Sequence, residues 1–238
     1  MRRAIALRAR PRPKKTIPAA DEKLQRTREA LLEAAGNVFA EKGFDRATGK
    51  EICERAGANA AAVNYYFGGV EGLYAAVLRL AHNRVVSVDH LQAVVADEPD
   101  ARSQLEAILG MFARAVTGPA SSSWVFRVIG REVVAPSRVF SEMRDKEIFP
   151  KLRILRPVVA ELMGLREDHA AVARACISIV APCVLLLIGD RRFLKQAFPS
   201  LGFDDPEAIT QHLVSFALAG IASSARTARE AVKRNAGG

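Results

Sequence analysis

From about residue 21 onward, apolar side chains recur at three- and four-residue intervals, and alternating strand patterns bounded by paired turn residues are missing. The spacing predicts an all-α protein. A first helix over residues 21–42 places Leu24, Leu31, Ala35, Val38 and Phe39 on one face, with Gly43 where a left-handed C-terminal residue belongs and Phe44 tucking the chain back. The segment Thr48-Gly49-Lys50-Glu51 has the T-x-x-E pattern of a capping box, so a second helix runs from Thr48 to Ala56. Gly57 and Ala58 form a turn, and Asn59 is an N-cap for a third helix reaching about Tyr66. Beyond it, the pattern predicts helices over residues 103–116, 122–135, 137–149, 151–163, 169–188 and 206–233. Pro136, Pro150, Pro199 and Pro206 punctuate them.

Half of the 238 residues are hydrophobic, enough to bury a core in one large domain or two small ones. The formal charge of +9 is unevenly spread: residues 1–20 hold Arg2, Arg3, Arg8, Arg10, Arg12, Lys14 and Lys15 and no acid. Such a proline-containing segment buries too little apolar surface to offset the entropy of ordering it, so a disordered basic arm is expected. The arm suits phosphate neutralisation or minor-groove insertion; a solvated tail and a cleaved leader are the alternatives. Cys53, Cys176 and Cys183 form no CxxC pair, and their odd number points to a reducing compartment, by default the cytoplasm. The longest apolar stretch, residues 176–188 interrupted by Ser178, contains Pro182 and falls short of the ~20 residues that span a bilayer, so no membrane partner is expected.

Two short helices joined by a tight glycine turn make a helix-turn-helix, whose second helix enters the major groove of duplex DNA. That helix lies in the stretch AGANAAAVNYYFGG, residues 56–69. Ala60, Ala61 and Ala62 permit close approach and apolar contact with thymine methyls, while Asn59, Asn64, Tyr65 and Tyr66 supply hydrogen-bonding groups to bases or phosphates. Thr48 and Lys50 complete the candidate DNA contacts. Phe67 reads as a core aromatic.

The last two long helices are the most apolar. Val180, Val184 and Leu187 on one and Leu213, Phe216, Ala217 and Gly220 on the other are the candidate homodimer face, small residues allowing close helix approach. For a ligand, the stretch SSSWVFRVIGREVV offers Trp124, Arg127, Arg131 and Glu132, with Phe112 from the preceding helix. Glu132 stands three residues after Ile129 and seven after Val125, which puts a carboxylate on an apolar face, where it serves a ligand or a structural ion pair. Enzyme readings find little support: the four histidines and three cysteines have no metal-ligand spacing, FGGVEG follows no strand, and no cofactor is expected. Cys176 and Cys183 share a helix face and read as buried small hydrophobes. A basic helical scaffolding or membrane-peripheral protein is the rival class.

Taken together, the residues TREALLEAAGNVFAEKGFDRATGKEICERAGANAAAVNYYFGGVEGLYAAV closely resemble the N-terminal DNA-binding region of the TetR family of transcriptional regulators. The landmarks are F-A-x-x-G-F, a threonine before the second helix, I-x-x-x-A-G, and an acidic residue and Leu opening a fourth helix. Asn64 stands where a tyrosine is commonest, Tyr66 where a histidine is commonest, and Val70 where a lysine commonly contacts phosphate. NYYFGG and the later REVVAPS, residues 131–137, are similar to the CecR-type subgroup. The resemblance implies an arm over 1–20, a DNA-binding domain over 21–67, and a helical effector-binding and dimerisation domain over 68–230. It also implies a homodimer on a near-palindromic double-stranded DNA operator, most simply a repressor released when a small-molecule effector changes the spacing of the two heads.

Overall fold

The computed structural model describes residues 19–118, 123–203 and 205–236, and among them the regular structure is entirely helical. Of the basic arm, residues 1–18 lie outside the described residues. Helix α1 (Ala19–Lys42) opens with Asp21 and Glu22, acids that suit the positive end of a helix. It buries Leu31, Ala35, Val38 and Phe39 completely. Leu24, expected on the same face, is exposed, because residues 21–26 extend past the partners of the helix. Gly43 takes φ +79°, a left-handed conformation in which its N–H closes on the Phe39 carbonyl at 2.9 Å. The reversal carries Phe44 onto the Tyr74 ring, at 4.9 Å between centroids.

Helix α2 (Gly49–Ala56) is capped by Thr48, whose Oγ1 accepts the Glu51 N–H at 3.3 Å. Only half of the expected capping box is present. The Glu51 carboxylate turns away from the helix start and accepts from Lys42 Nζ at 2.7 Å and Arg55 Nη2 at 2.9 Å, cations that offer a charge where the backbone offers only a dipole. Gly57, at φ +61°, donates to the Glu54 carbonyl while Ala58 donates to Cys53, the paired bonds of a left-handed helix end. The Asn59 carboxamide oxygen then accepts from Ala61 N at 2.9 Å, and α3 (Ala62–Phe67) starts two residues later than its cap suggested. Gly68 and Gly69 break the chain before α4 (Val70–Val85).

The inner face of α4, Leu73, Tyr74, Val77, Leu78 and Ala81, shares one core with α1, α2 and α3, so the expected boundary after residue 67 cuts through a packed unit. Helix α5 (Val88–Ala96), not anticipated from the sequence, is capped by Ser87 and leads into α6 (Ala101–Thr117). Helix α7 (Trp124–Val134) joins the first core through Trp124, Val125, Val128 and Ile129.

The expected break at Pro150 does not occur. Helix α8 (Phe140–Met143) passes through a π-helical turn at Arg144–Ile148 into α9 (Phe149–Met163), and the wider turn accommodates a proline ring that has no N–H to give. Helix α10 (Ala170–Ile188) follows, then the short α11 (Arg191–Ala197), capped by Asp190 and also unanticipated, then α12 (Pro206–Ala236). Helices α6, α9, α10 and α12 enclose a second core of Leu105, Leu109, Val159, Met163, Val172 and Ile221. Phe112 packs against both cores. By length and composition α10 and α12 are apolar enough to cross a membrane, yet each buries one face against this second core.

Candidate functional site

The exposed edge of the helix-turn-helix is a short row of small and polar residues. Asn59, Ala60 and Ala61 on the turn and Asn64 and Tyr65 on α3 are all exposed, Tyr65 by 75%. A large aromatic left this open is what a binding edge presents, since burial of the ring in the free chain would be worth ~2 to 3 kcal/mol. Thr48 and Lys50, at the start of α2, are also exposed, and Lys50 is 4.0 Å from Glu54 in a solvent-exposed pair that leaves its ammonium available. Two assignments change. Ala62 is 8% exposed and packs into the first core beside Val63, so it cannot meet a base edge. Tyr66 is half-buried against the core with its ring edge-on to Tyr65 at 4.9 Å, and so braces Tyr65. Phe67 also packs on the core, under the Arg28 guanidinium.

The five ligand candidates do not meet in one place. Trp124 is buried over Gly36, where a Cβ would enter its ring, and its Nε1 donates to Glu33 at 2.8 Å. Burial pushes the Glu33 carboxyl up, but hydrogen bonds from Arg84 and Trp124 outweigh it and hold the group below the usual carboxylate range. Arg131 Nε and Nη2 donate to the carbonyls of Ala40 and Glu41 at 3.2 and 3.0 Å, satisfying the free end of α1. Glu132 is buried and accepts from the Tyr74 hydroxyl at 2.6 Å and from Ser137 N at 3.0 Å. Burial, with this carboxylate beside it, raises Tyr74 far above an ordinary phenol, so the hydroxyl stays a donor. Trp124, Arg131 and Glu132 are therefore a clamp from α7 onto α1 and α4. Arg127 and Arg131 border a wide groove beside Lys42 and Arg46 whose polar groups are largely engaged already.

Only Phe112 of the five lines the apolar cavity, a space of about 260 Å³ between α4, α5, α6, α7, α9 and α10. Val85, Leu91, Ile129 and Leu155 form its walls, and Val133 and Leu152, both partly exposed, stand at its edge. Val180, Val184 and Leu187, expected on a dimer face, also line it, because α10 is buried on a broader arc than its spacing suggested. Cys183 lies among them, and burial pushes its thiol up to about 12; Cys176 is raised in the same way, so neither is a ready thiolate. The cavity's two basic nitrogen groups, His82 and Lys151, escaped the sequence reading as ligand contacts. The one signal for them was Lys151 four residues after Glu147, inside the apolar run of Ile148, Leu152 and Leu155.

Two family models cover most of this architecture. One, "Bacterial regulatory proteins, tetR family", matches residues 31–77, which span α1 to α4. The other, "HTH-type transcriptional dual regulator CecR, C-terminal domain", matches residues 101–221, just over half of the chain. The chain belongs to the TetR family, in its CecR-type branch. A curated relative, HTH-type transcriptional regulator BetI 2 of Chromohalobacter salexigens, is 31% identical over 100 residues; these are 41% of this chain and 48% of the relative, so the match spans about half of the relative's length. Solved structures share the fold. A transcriptional regulator from Pseudomonas aeruginosa PAO1 superposes with TM-score 0.66 at 19% identity, covering 85% of this chain and 94% of its own. The FadR of Bacillus subtilis in complex with stearoyl-CoA gives 0.62 at 14%, covering 81% and 98%. A Rhodococcus sp. Rha1 regulator gives 0.55 at 24%, covering 82% and 95%.

Within that family pattern, Val70 takes the place of a commonly basic residue at the start of α4. Its side chain faces Gly49 and Val63 and locks α4 to the helix-turn-helix through packing. Of the expected dimer residues on α12, Leu213 and Ala217 are buried inside the chain, since they face α10 and α6, while Phe216 and Gly220 remain exposed. Beside them on α10, Ile177 and Leu185 are also open, at 68% and 57%. With Phe216 they are large apolar side chains left exposed on two packed helices.

Proposed function

We propose that this TetR-family chain is a cytoplasmic, non-enzymatic transcription regulator that binds a near-palindromic DNA operator as a homodimer and is released as a repressor when an effector fills the apolar cavity. The observation that carries the reading is the open row Asn59, Ala60, Ala61, Asn64 and Tyr65 on the second helix of the helix-turn-helix. In this reading residues 21–67 read DNA and residues 68–230 bind effector and dimerise. Asn64 and Tyr65 read base edges, and Thr48 and Lys50 grip phosphate. The exposed faces of α10 and α12, carrying Ile177, Leu185, Phe216 and Gly220, pair with a second copy. A membrane-peripheral scaffold leaves the row on α3 without a role.

The link from cavity to head is α7. Trp124 and Arg131, seven residues apart, hold α1 from one face of it, while Ile129 and Val133 on the other face line the cavity. An effector that displaces Ile129 and Val133 shifts the clamp and with it the spacing of the paired heads. Selection of duplexes from a random pool, followed by footprinting and sizing at micromolar protein, tests the reading. The expected result is protection of a two-fold symmetric site by a dimer, and dissociation of that dimer in Phe216→Glu. A monomer that protects an asymmetric site overturns it.

A further inference from the structure

An apolar cavity that only stores hydrocarbon has no use for basic nitrogen groups in its wall, yet this one has two. His82 contributes an Nε2 that is buried and lacks a hydrogen-bond partner among the described residues. Burial, followed by the nearby Lys151 ammonium, pushes this imidazole down to about 4, so it is neutral near pH 7 and one ring nitrogen carries a proton. Lys151, whose side chain is 20% exposed, pairs with Glu147 Oε2 at 3.7 Å, within ion-pair range but too long for a hydrogen bond. Burial lowers the Lys151 ammonium and the Glu147 carboxylate only partly restores it. Glu147 Oε2 itself has no hydrogen-bond partner among the described residues.

An unsatisfied buried polar group is unfavourable, and His82 Nε2 is one; Lys151 adds a partly buried ammonium held only by a long ion pair, and both groups can donate. The acid that partly answers Lys151 is not in the cavity wall. Glu147 borders a separate small cleft with Arg79 and Lys146. A ligand inside the cavity therefore meets an ammonium and an imidazole, not a carboxylate. A cationic ligand is disfavoured there, and a neutral one can accept a hydrogen bond but leaves the ammonium charge unanswered inside the cavity. Building on the reading of this cavity as the effector site, we propose that it takes a small amphipathic anion, an apolar chain ending in a carboxylate-type group, with the chain among Phe112, Ile129, Val180 and Leu187 and the anionic end on Lys151 Nζ and His82 Nε2.

Calorimetry on the full chain without DNA tests this, with straight-chain carboxylates from hexanoate to decanoate set against the alcohols and amines of equal length. Each added methylene should tighten binding about fourfold until the cavity is full. The carboxylate should bind about tenfold or more tightly than its alcohol, as a hydrogen bond to a charged group implies. Lys151→Met should abolish that preference while the alcohol affinity stays within about twofold, because the apolar walls are unchanged. Glu147→Gln should strengthen carboxylate binding by removing the competing acceptor, and so tests the site without deleting the ammonium. Circular dichroism confirms that both variants fold. Equal binding of alcohol and carboxylate, tighter binding of the amine, a carboxylate preference that survives Lys151→Met, or no binding by any chain would each overturn the inference. The operator footprint is measured separately, so a lost footprint with carboxylate binding intact sinks the regulatory reading and not this one.

Discussion

Asn64 and Lys50 both face solvent on the helix-turn-helix, but they offer DNA different chemistry. A carboxamide forms a bidentate pair with adenine N6 and N7, while an ammonium is a point charge that suits any phosphate. Asn64→Ala should therefore weaken binding to the selected operator by ~1 to 3 kcal/mol and relax preference at one position in each half-site. Lys50→Ala should weaken operator and scrambled duplex alike and lower the salt slope by about 1. Binding curves on both duplexes at several salt concentrations separate the two; equal losses on both duplexes for Asn64→Ala would make it a phosphate clamp. Ala62 marks the limit of reading by residue type. Three consecutive alanines look equivalent in sequence, but Ala60 and Ala61 lie on the turn and stay outside, while Ala62, the first residue of α3, enters the core.

At the scale of helices, the head was legible because its signals are local: Thr48 as cap, Gly57 at positive φ, and the inward spacing of Leu31, Ala35 and Val38 each act within a few residues. The cavity was not legible, since its wall is assembled from six helices and His82 and Lys151 are 69 positions apart. Glu132 lay between these cases. Its place on an apolar face was readable, but its partner Tyr74 is 58 residues away, and that long-range bond makes it part of a clamp and not a ligand contact. The clamp gives α7 its own prediction. Arg131→Ala removes two hydrogen bonds to the end of α1 and leaves the cavity wall intact, so effector affinity in the absence of DNA should hold. The coupling between effector and operator, ordinarily ~1 to 3 kcal/mol, should shrink. Operator affinity measured with and without saturating effector gives the coupling directly, and an unchanged ratio in Arg131→Ala would remove α7 from the pathway.

Across the whole molecule the charge sits apart from the reading head. Residues 21–67 hold seven basic and eight acidic side chains, so the head alone brings no net positive charge to a polyanion. Several of its cations are also committed within the fold, Lys42 and Arg55 to Glu51 and Arg55 again to Glu41. Val70 adds packing where many relatives would add a cation. Residues 1–20, by contrast, carry seven positive charges and no acid, joined directly to the start of α1. If the head supplies sequence discrimination and the arm supplies attraction, removing residues 1–18 should separate the two properties. Each lost phosphate contact lowers the slope of log affinity against log salt by about 0.9, so the truncated protein should bind every duplex more weakly and with a flatter slope. Its preference for operator over scrambled duplex should stay nearly constant, because Asn64 and Tyr65 remain in place. Titrations of full-length and truncated protein over a range of salt concentrations measure both quantities. An unchanged slope would make the arm a bystander, and a collapsed preference would mean that the arm, and not α3 alone, reads sequence.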